Sequence, residues 1–321
     1  MGEEREGLIL HLQRFSTEDG PGIRTTVFFK GCSLQCWWCH NPESLSSKPQ
    51  VHWLEDRCIS CETCVGLCPN GCLSMTDRGL LRDRELCEVC LRCVEACPAN
   101  AMQRLGRWVG VEEVLHELLK DRAFYESSGG GITLSGGEPA LQPVFVVTLL
   151  RELKEAGVQT ALDTCGMCST ESLERILPNT DLLLFDLKEM DSEKHREFTG
   201  QGNQRILENL LFARDFVSRY PNKKVWVRTP IIPGATASSE NVMAIGRFIA
   251  DNMNGIVERW ELCAFNNLCA DKYRRLDMHW RYDETPLLTE EELQRWENFA
   301  KSAGVDPAIV IATGATQVLS L

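Results

Sequence analysis

The chain has 321 residues, 43% of them hydrophobic and 25% charged, with a formal net charge of −12. This length suits one large α/β barrel or a domain with an insert, and the acidic balance without a Lys/Arg run argues against a nucleic-acid-binding protein. No stretch approaches the roughly 20 apolar residues of a membrane span and no signal peptide is recognisable, so the sequence predicts a cytoplasmic protein without membrane contact.

Seven short apolar runs have the length and composition of buried strands. They cover residues 24–30, 131–135, 159–164, 181–188, 224–232, 259–265 and 308–313. Amphipathic patterns between them predict helices, of which the clearest lie at 111–125, 141–157 and 289–304. Because repeated βα units build a parallel sheet, the pattern predicts an α/β fold with a partial (β/α)6-type parallel barrel. An open doubly wound sheet is the alternative.

The first predicted strand is followed by three cysteines in the spacing C-x3-C-x2-C, namely Cys32, Cys36 and Cys39. A closed zinc site needs a fourth ligand, and His40 is a poor one because the neighbour of a ligand rarely points at the same metal. Three thiolates on a [4Fe–4S] cluster leave one iron without a protein ligand. Such an iron can bind a substrate or cofactor, so this triplet predicts an open cluster.

Residues 51–105 interrupt the βα rhythm and are predicted to be an inserted module, which leaves 1–50 and 106–321 for the barrel. The insert contains two copies of C-x2-C-x2-C-x3-C-P, the run found in bacterial ferredoxins, whose fourth cysteine ligates the other cluster. The predicted ligands are therefore Cys58, Cys61, Cys64 and Cys97 for one [4Fe–4S] cluster and Cys87, Cys90, Cys93 and Cys68 for a second. Two structural zinc sites are the alternative. Cys72 lies outside the pattern and is predicted to be a buried free thiol.

The triplet after the first barrel strand resembles the radical S-adenosylmethionine (SAM) superfamily. More narrowly, the stretch DGPGIRTTVFFKGCSLQCWWCHNPES, residues 19–44, is similar to the glycyl-radical-enzyme activating enzymes. The insert resembles the branch that activates glycyl radical lyases and dehydratases other than pyruvate formate-lyase. The resemblance covers nearly the whole chain and implies three [4Fe–4S] clusters with SAM bound at the open one.

The same resemblance implies site residues at the ends of the later strands. The implied SAM contacts are Trp38, His40, Gly136, Gly137, Glu138, Asp186, Leu187, Lys188, Arg228 and Asn266. Asn266 stands where relatives often carry a histidine, which is a departure from the family pattern. Asp163 and Thr164 resemble part of a monovalent-cation site beside SAM, with a helix N-cap as the alternative. Asp19 matches an acid near the incoming glycine loop of the partner.

The implied reaction is reductive cleavage of SAM, after which the 5′-deoxyadenosyl radical removes a hydrogen from a glycine Cα of a partner glycyl radical enzyme. We expect that partner to be a lyase or dehydratase of a small substrate such as isethionate, choline or glycerol, with a C–S or C–N lyase favoured. A low-potential flavodoxin or ferredoxin is the expected reductant. The alternatives are a radical SAM peptide maturase with auxiliary clusters and a non-catalytic polyferredoxin that carries electrons.

Overall fold

The structure is a computed structural model that describes residues 6–253 and 255–317. Its strands are β1 (Glu6–Ser16), β2 (Arg24–Phe29), β3 (Gln50–Trp53), β4 (Leu73–Thr76), β5 (Gly79–Arg82), β6 (Met102–Leu105), β7 (Arg107–Gly110), β8 (Gly131–Gly136), β9 (Gln159–Thr164), β10 (Leu182–Asp186), β11 (Lys224–Ile231), β12 (Val257–Ala264) and β13 (Val310–Thr313). Its helices are α1 (Thr63–Leu67), α2 (Arg92–Glu95), α3 (Val111–Leu119), α4 (Arg122–Ser128), α5 (Pro143–Glu155), α6 (Thr170–Ile176), α7 (Ser192–Thr199), α8 (Gln204–Val217), α9 (Ser239–Asn252), α10 (Ala270–Arg275) and α11 (Glu290–Lys301). None of these helices is long and apolar enough to cross a membrane.

Nine strands form one sheet in the order β13-β12-β11-β10-β9-β8-β2-β1-β7. Seven of them, β2 and β8 to β13, run parallel, whereas β1 and β7 add two antiparallel strands beside β2. Within the described residues, β13 and β7 are the two ends of this sheet, which therefore stays open. The largely parallel sheet confirms the predicted α/β fold and is typical of a radical SAM partial barrel.

The two faces of the sheet differ because successive side chains of a strand point to opposite sides. On one face, residues such as Val27, Leu134 and Leu162 pack with the helices into one large apolar core. The other face carries a small apolar cluster formed by Ala161, Leu182, Leu184 and Trp226. Polar side chains of the same strands continue beyond that cluster towards the carboxyl ends of the strands. We call this second face the lumen.

Several predicted elements have different bounds in the structure, among them the strand predicted over 181–188 and the helix predicted over 111–125. The strand predicted to reach Lys188 ends at Asp186, so Leu187 and Lys188 lie in the turn that follows. The helix predicted over 111–125 is interrupted between α3 and α4. The interruption is at Asp121, whose buried carboxylate accepts hydrogen bonds from Arg14 at 2.5 Å and Thr25 at 3.3 Å. These tertiary contacts hold Asp121 outside helical geometry.

The insert forms its own small unit between β2 and α3. Its ends meet because β3 and β6 pair antiparallel, with Gln50 opposite Leu105. Between them lie the hairpin of β4 and β5 and the short helices α1 and α2. A separate apolar cluster holds this unit together, and its buried members are Cys72, Leu73, Leu80, Cys93 and Met102.

Candidate active site

The three triplet cysteines lie on the loop that leaves the carboxyl end of β2. The charges of Cys32 and Cys36 contribute to the raised pKa of Cys39, and the charge of Cys32 contributes to the raised pKa of Cys36. The three thiols therefore lie close together. Burial raises the pKa of the Cys36 thiol to about 12 against the opposing charge of Lys188, and it raises the pKa of Cys39 as well. Because ligation requires thiolates, the group bound here must supply strong positive charge. Three converging thiols of this kind fit an iron–sulfur cluster.

A fourth thiol, Cys165, lies beside the triplet and was not predicted from the sequence. A hydrogen bond with Cys165 lowers the pKa of the Cys32 thiol. The pKa of Cys165 is raised by that bond, by burial and by the nearby charge of Glu138. Cys165 thus lies next to both Cys32 and Glu138.

The Gly136-Gly137 turn at the end of β8 packs directly against the start of the triplet loop. Gly137 N–H donates to the Phe29 carbonyl at 2.9 Å, and Glu138 N–H donates to the Gly31 carbonyl at 2.8 Å. A Cβ at Gly137 would lie 2.2 Å from the Gly31 carbonyl oxygen. Gly136 has φ +107°, in the range that favours glycine. The two glycines are therefore needed for this close approach of backbones.

The Glu138 carboxylate is fully buried and points into the loop after β9. It accepts hydrogen bonds from the Thr164 hydroxyl at 2.8 Å, the Cys165 N–H at 2.8 Å and the Ala140 N–H at 3.0 Å. Burial raises its pKa, and these hydrogen bonds oppose the rise. The predicted contact of this carboxylate with the SAM amino group stays a prediction. In the structure Glu138 ties together the loops after β8 and β9.

Asp163 and Thr164, the predicted cation-site residues, point to different sides of the sheet. Asp163 faces the lumen, where Ser135 Oγ donates to its carboxylate at 2.6 Å and Arg228 Nη1 lies 3.6 Å away. Burial raises the pKa of Asp163 to about 7, against the opposing charge of Arg228. The Thr164 hydroxyl instead donates to Glu138. Of the two predicted cation-site residues, Asp163 therefore faces the lumen and Thr164 does not.

Asp186 and Lys188 form an ion pair just past β10. Lys188 is buried, and although burial alone would lower its pKa, the charges of Asp186 and Cys36 raise it overall. Leu187, between the two, is buried, and its N–H donates to the Arg228 carbonyl at 2.9 Å. This turn thus places the Lys188 ammonium group beside the triplet and the Asp186 carboxylate on the lumen side.

Arg228 lies at the centre of the charged lumen. Its guanidinium contacts Glu261 at 3.3 Å on one side and Asp163 at 3.6 Å on the other. Glu261 also pairs with Arg259 at 2.9 Å, and Arg259 lies over the Trp226 ring at 4.0 Å. Arg228, one of the implied SAM contacts, is therefore paired with two carboxylates of the protein itself.

Asp19 lies in the loop between β1 and β2. Its carboxylate accepts hydrogen bonds from Ser16 at 2.5 Å and Thr26 at 2.6 Å, and its carbonyl accepts from Thr133 at 2.7 Å. Its charge also contributes to the raised pKa of Asp163. Asp19 therefore faces the lumen from the amino ends of the strands, opposite to the triplet.

Trp38, His40 and Asn266 form the remaining predicted contacts. The Trp38 side chain is only 6% exposed and packs near Phe198 in an aromatic cluster, so its ring is a core element in this structure. His40 Nε2 lies 3.1 Å from the Asn266 carbonyl oxygen and therefore carries the proton. Burial lowers the pKa of His40, and the hydrogen bond with Asn266 opposes this shift. The Asn266 side chain accepts from the Leu268 N–H at 3.2 Å.

The eight ferredoxin-pattern cysteines surround two cavities in the insert. One cavity is lined by apolar side chains and by the outer cysteine set, Cys58, Cys61, Cys64 and Cys97. The other is lined by the inner cysteine set, Cys68, Cys87, Cys90 and Cys93. Ser46 and Lys48, which precede the insert, also line the second cavity. The inner set is thus the one next to the barrel.

Two further observations concern these cavities. Cys72, predicted to be a buried free thiol, is buried and its Sγ lies 3.2 Å from that of Cys68. Among the described residues, no three His, Cys, Asp or Glu side chains converge closely enough to share one metal ion. A [4Fe–4S] cluster spaces its thiolates farther apart than a single zinc ion, which holds sulfur at about 2.3 Å.

Known proteins resemble this chain over most of its length. Residues 26–244 match the radical SAM superfamily. The chain is 42% identical to the isethionate sulfite-lyase activating enzyme of Oleidesulfovibrio alaskensis, over 84% of this chain and 87% of that one. It is 35% identical to the choline trimethylamine-lyase activating enzyme of the same organism, over 92% and 94%. Streptococcus suis SuiB bound to its precursor peptide SuiA superposes with a TM-score of 0.52 at 12% identity, over 88% of this chain and 46% of that one, which shows the fold alone.

Proposed function

The chain belongs to the radical SAM superfamily and, within it, to the activating enzymes of glycyl radical enzymes, and we propose that its partner is a glycyl radical lyase that breaks a C–S bond. Support for the bond type comes from the 42% identity to an isethionate sulfite-lyase activating enzyme, compared with 35% to the choline trimethylamine-lyase activating enzyme. The observation that carries the activity is the triplet, which faces the glycine turn of β8 at the carboxyl end of the barrel strands.

We assign Cys32, Cys36 and Cys39 as ligands of a [4Fe–4S] cluster with one open iron. When bound, this cluster supplies the electron that cleaves SAM to methionine and the 5′-deoxyadenosyl radical. Lys188 is the buried cation nearest to Cys36, and its charge favours the thiolate form of the ligand. Cys165 lies beside Cys32 and lowers its pKa, and we propose that SAM rather than Cys165 occupies the fourth position.

We propose that SAM lies between the triplet and the lumen. The Gly136-Gly137 backbone and Lys188 would contact its amino acid part, and Asp186, Arg228 and Asn266 the rest. Arg228 already balances two carboxylates, so it orients groups in the lumen rather than adding net positive charge. A reactive alkyl radical needs a closed and correctly oriented site. The protein's part is this orientation and the exclusion of water.

We propose that residues 51–105 form a ferredoxin-like module with one [4Fe–4S] cluster on each cysteine set. Two cavities support this assignment, one lined by the four thiols of the outer set and the other by the four thiols of the inner set together with Cys72. Electrons from a low-potential flavodoxin or ferredoxin would enter at the outer set, where Cys61 is exposed. They would leave from the inner set, whose cavity also contacts Ser46 and Lys48 of the barrel.

Anaerobic reconstitution with SAM and dithionite tests this function. An activating enzyme forms 5′-deoxyadenosine and leaves a glycyl EPR doublet on an added C–S lyase partner. A peptide maturase would form 5′-deoxyadenosine without the doublet, and a polyferredoxin would form neither. The lumen charges and the glycine turn argue against an electron carrier, which needs no such site, and the identity to known activating enzymes favours the first outcome over a maturase.

A further inference from the structure

A segment after β12, residues 266–282, lies between the insert and the triplet loop; we call it the bridge segment. It contains α10 and contributes buried aromatic side chains to the cluster around Trp38. Tyr273 and Trp280 are 5% and 4% exposed, and their rings stack with centroids 5.2 Å apart. Apart from Asn266, no residue of this segment is assigned a role by the sequence.

The bridge segment holds carbonyl groups of the triplet loop directly. Trp280 Nε1 donates to the Trp37 carbonyl at 3.0 Å, and Tyr273 Oη donates to the Cys39 carbonyl at 2.9 Å. Two carbonyls of the loop, one of them on a predicted cluster ligand, therefore depend on buried aromatic donors for their hydrogen bonds. A buried carbonyl without a partner is costly, so the loop is fixed where these donors place it.

Lys272 extends these contacts along the loop. Its Nζ donates to the His40 carbonyl at 3.0 Å and to Asn41 Oδ1 at 2.8 Å, and it pairs with Glu43 at 3.0 Å. In return, His40 Nε2 donates to the Asn266 carbonyl at 3.1 Å. Hydrogen bonds and one ion pair thus join the bridge segment to the triplet loop from Trp37 to Glu43.

The insert holds the other side of the bridge segment through Arg82, the last residue of β5. The Arg82 side chain is 5% exposed and donates to the Val51 carbonyl at 2.9 Å, the Arg275 carbonyl at 2.7 Å and Asp277 at 2.6 Å. Arg84 donates to the same turn. The last carbonyls of a helix lack hydrogen-bond partners within the helix. Arg82 provides such a partner for the carbonyl of Arg275, the last residue of α10.

We propose that Arg82 is a positioning residue for the SAM site, acting through the bridge segment on the triplet loop. The insert would then set the geometry of the open cluster in addition to conducting electrons to it. This inference rests on the proposed function of the triplet. It differs from electron conduction because positioning is needed even when the cluster is reduced chemically.

The test uses the anaerobically reconstituted holoenzyme with Arg82→Ala and Arg82→Lys. Arg78→Ala is the matched control, since Arg78 is exposed on the turn of the same hairpin. Tyr273→Phe is the second variant; it keeps the stacked ring and removes only the donor to the Cys39 carbonyl. The measurements are iron content, SAM affinity and the SAM-dependent change in the EPR spectrum of the dithionite-reduced protein. Only a cluster with an open iron responds to SAM.

We expect Arg82→Ala and Tyr273→Phe to keep the iron content of the parent protein and to weaken SAM binding on the order of tenfold. Their SAM-dependent EPR change should be broadened, with Arg82→Lys intermediate and Arg78→Ala unchanged. Parent-like SAM affinity and EPR in both Arg82→Ala and Tyr273→Phe would overturn the inference. The inference would also be overturned if these variants were defective with a protein reductant and normal with dithionite. Failure of the parent protein to form 5′-deoxyadenosine would instead reject the proposed function.

Discussion

The Thr164 hydroxyl lies 2.8 Å from each oxygen of the buried Glu138 carboxylate. This contact joins the glycine turn after β8 to the loop after β9, and the Cys165 N–H adds a second tie to the same carboxylate. Since the glycine turn itself packs on Gly31, the loops after three neighbouring strands are held as one unit next to the triplet. Glu138 is therefore the structural centre of the proposed SAM site.

Glu138→Gln should destabilise the protein by about 1–3 kcal/mol. The substituted amide has one acceptor oxygen where the carboxylate has two, so one buried donor loses its partner. Denaturant unfolding measures the change, and Glu174→Gln, on an exposed position of α6, is the control. Equal stability of Glu138→Gln and the parent would contradict the role of this carboxylate as the tie between the loops.

Cys165→Ala should retain the SAM-responsive cluster, because the proposed ligands are Cys32, Cys36 and Cys39, and Cys165 is a neighbour of Cys32 and Glu138. Cys36→Ala should lose the SAM-dependent EPR change. Cys168→Ala is the control, since Cys168 is a buried cysteine in the core between sheet and helices. Loss of iron from Cys165→Ala alone would mean that Cys165 is a fourth ligand and that the site is closed.

Monovalent cations should strengthen SAM binding more at high pH than at low pH. Burial raises the pKa of Asp163 to about 7, so its carboxylate becomes charged, and able to attract a cation, as the pH rises through that value. Titration of SAM affinity with and without K⁺ measures the effect, and Asp163→Asn should abolish it. Ser135→Ala removes a hydrogen bond to the charged form and should move the midpoint to higher pH. A K⁺ effect that is independent of pH would contradict the assignment.

Cys61→Ala and Cys90→Ala should slow activation with a flavodoxin reductant and spare it with dithionite. The outer and inner sets would form a route for electrons from a protein donor, which a small reductant bypasses. The rate of 5′-deoxyadenosine formation under each reductant is the measurement, with Cys168→Ala, a buried cysteine outside both sets, as control. Complete loss of SAM cleavage with both reductants would reject the route.

The sequence predicted the parallel strands well, because uniformly buried runs such as β2 leave a clear signal. It missed β1, whose residues alternate between buried and exposed and pair antiparallel with β2. The boundary at Asp121 was also missed, since it depends on contacts with Arg14 and Thr25 about a hundred residues away in the chain. A pattern of neighbouring residues in the sequence contains no information about partners that lie so far away in the chain.

For the site, the spacing predicted the triplet, and the ferredoxin pattern predicted the two cysteine sets; their roles as ligands stay predictions. The spacing did not indicate where a side chain points. Glu138 turns inward to Thr164, and the ring of Trp38 is buried among aromatic residues. Arg82 and Tyr273 were missed because they act through backbone carbonyls, which any residue type can provide.

The central claim is that the triplet site generates a radical that removes a hydrogen from a glycine of the partner protein. The most direct test uses a C–S lyase partner labelled with α,α-dideuterated glycine, incubated anaerobically with this enzyme, SAM and dithionite. We predict that deuterium appears in the 5′-deoxyadenosine by mass spectrometry as the EPR signal of the glycyl radical forms, its doublet collapsed because deuterium replaces the remaining α-hydrogen. Unlabelled 5′-deoxyadenosine together with a glycyl radical signal, or no 5′-deoxyadenosine at all, would contradict the claim.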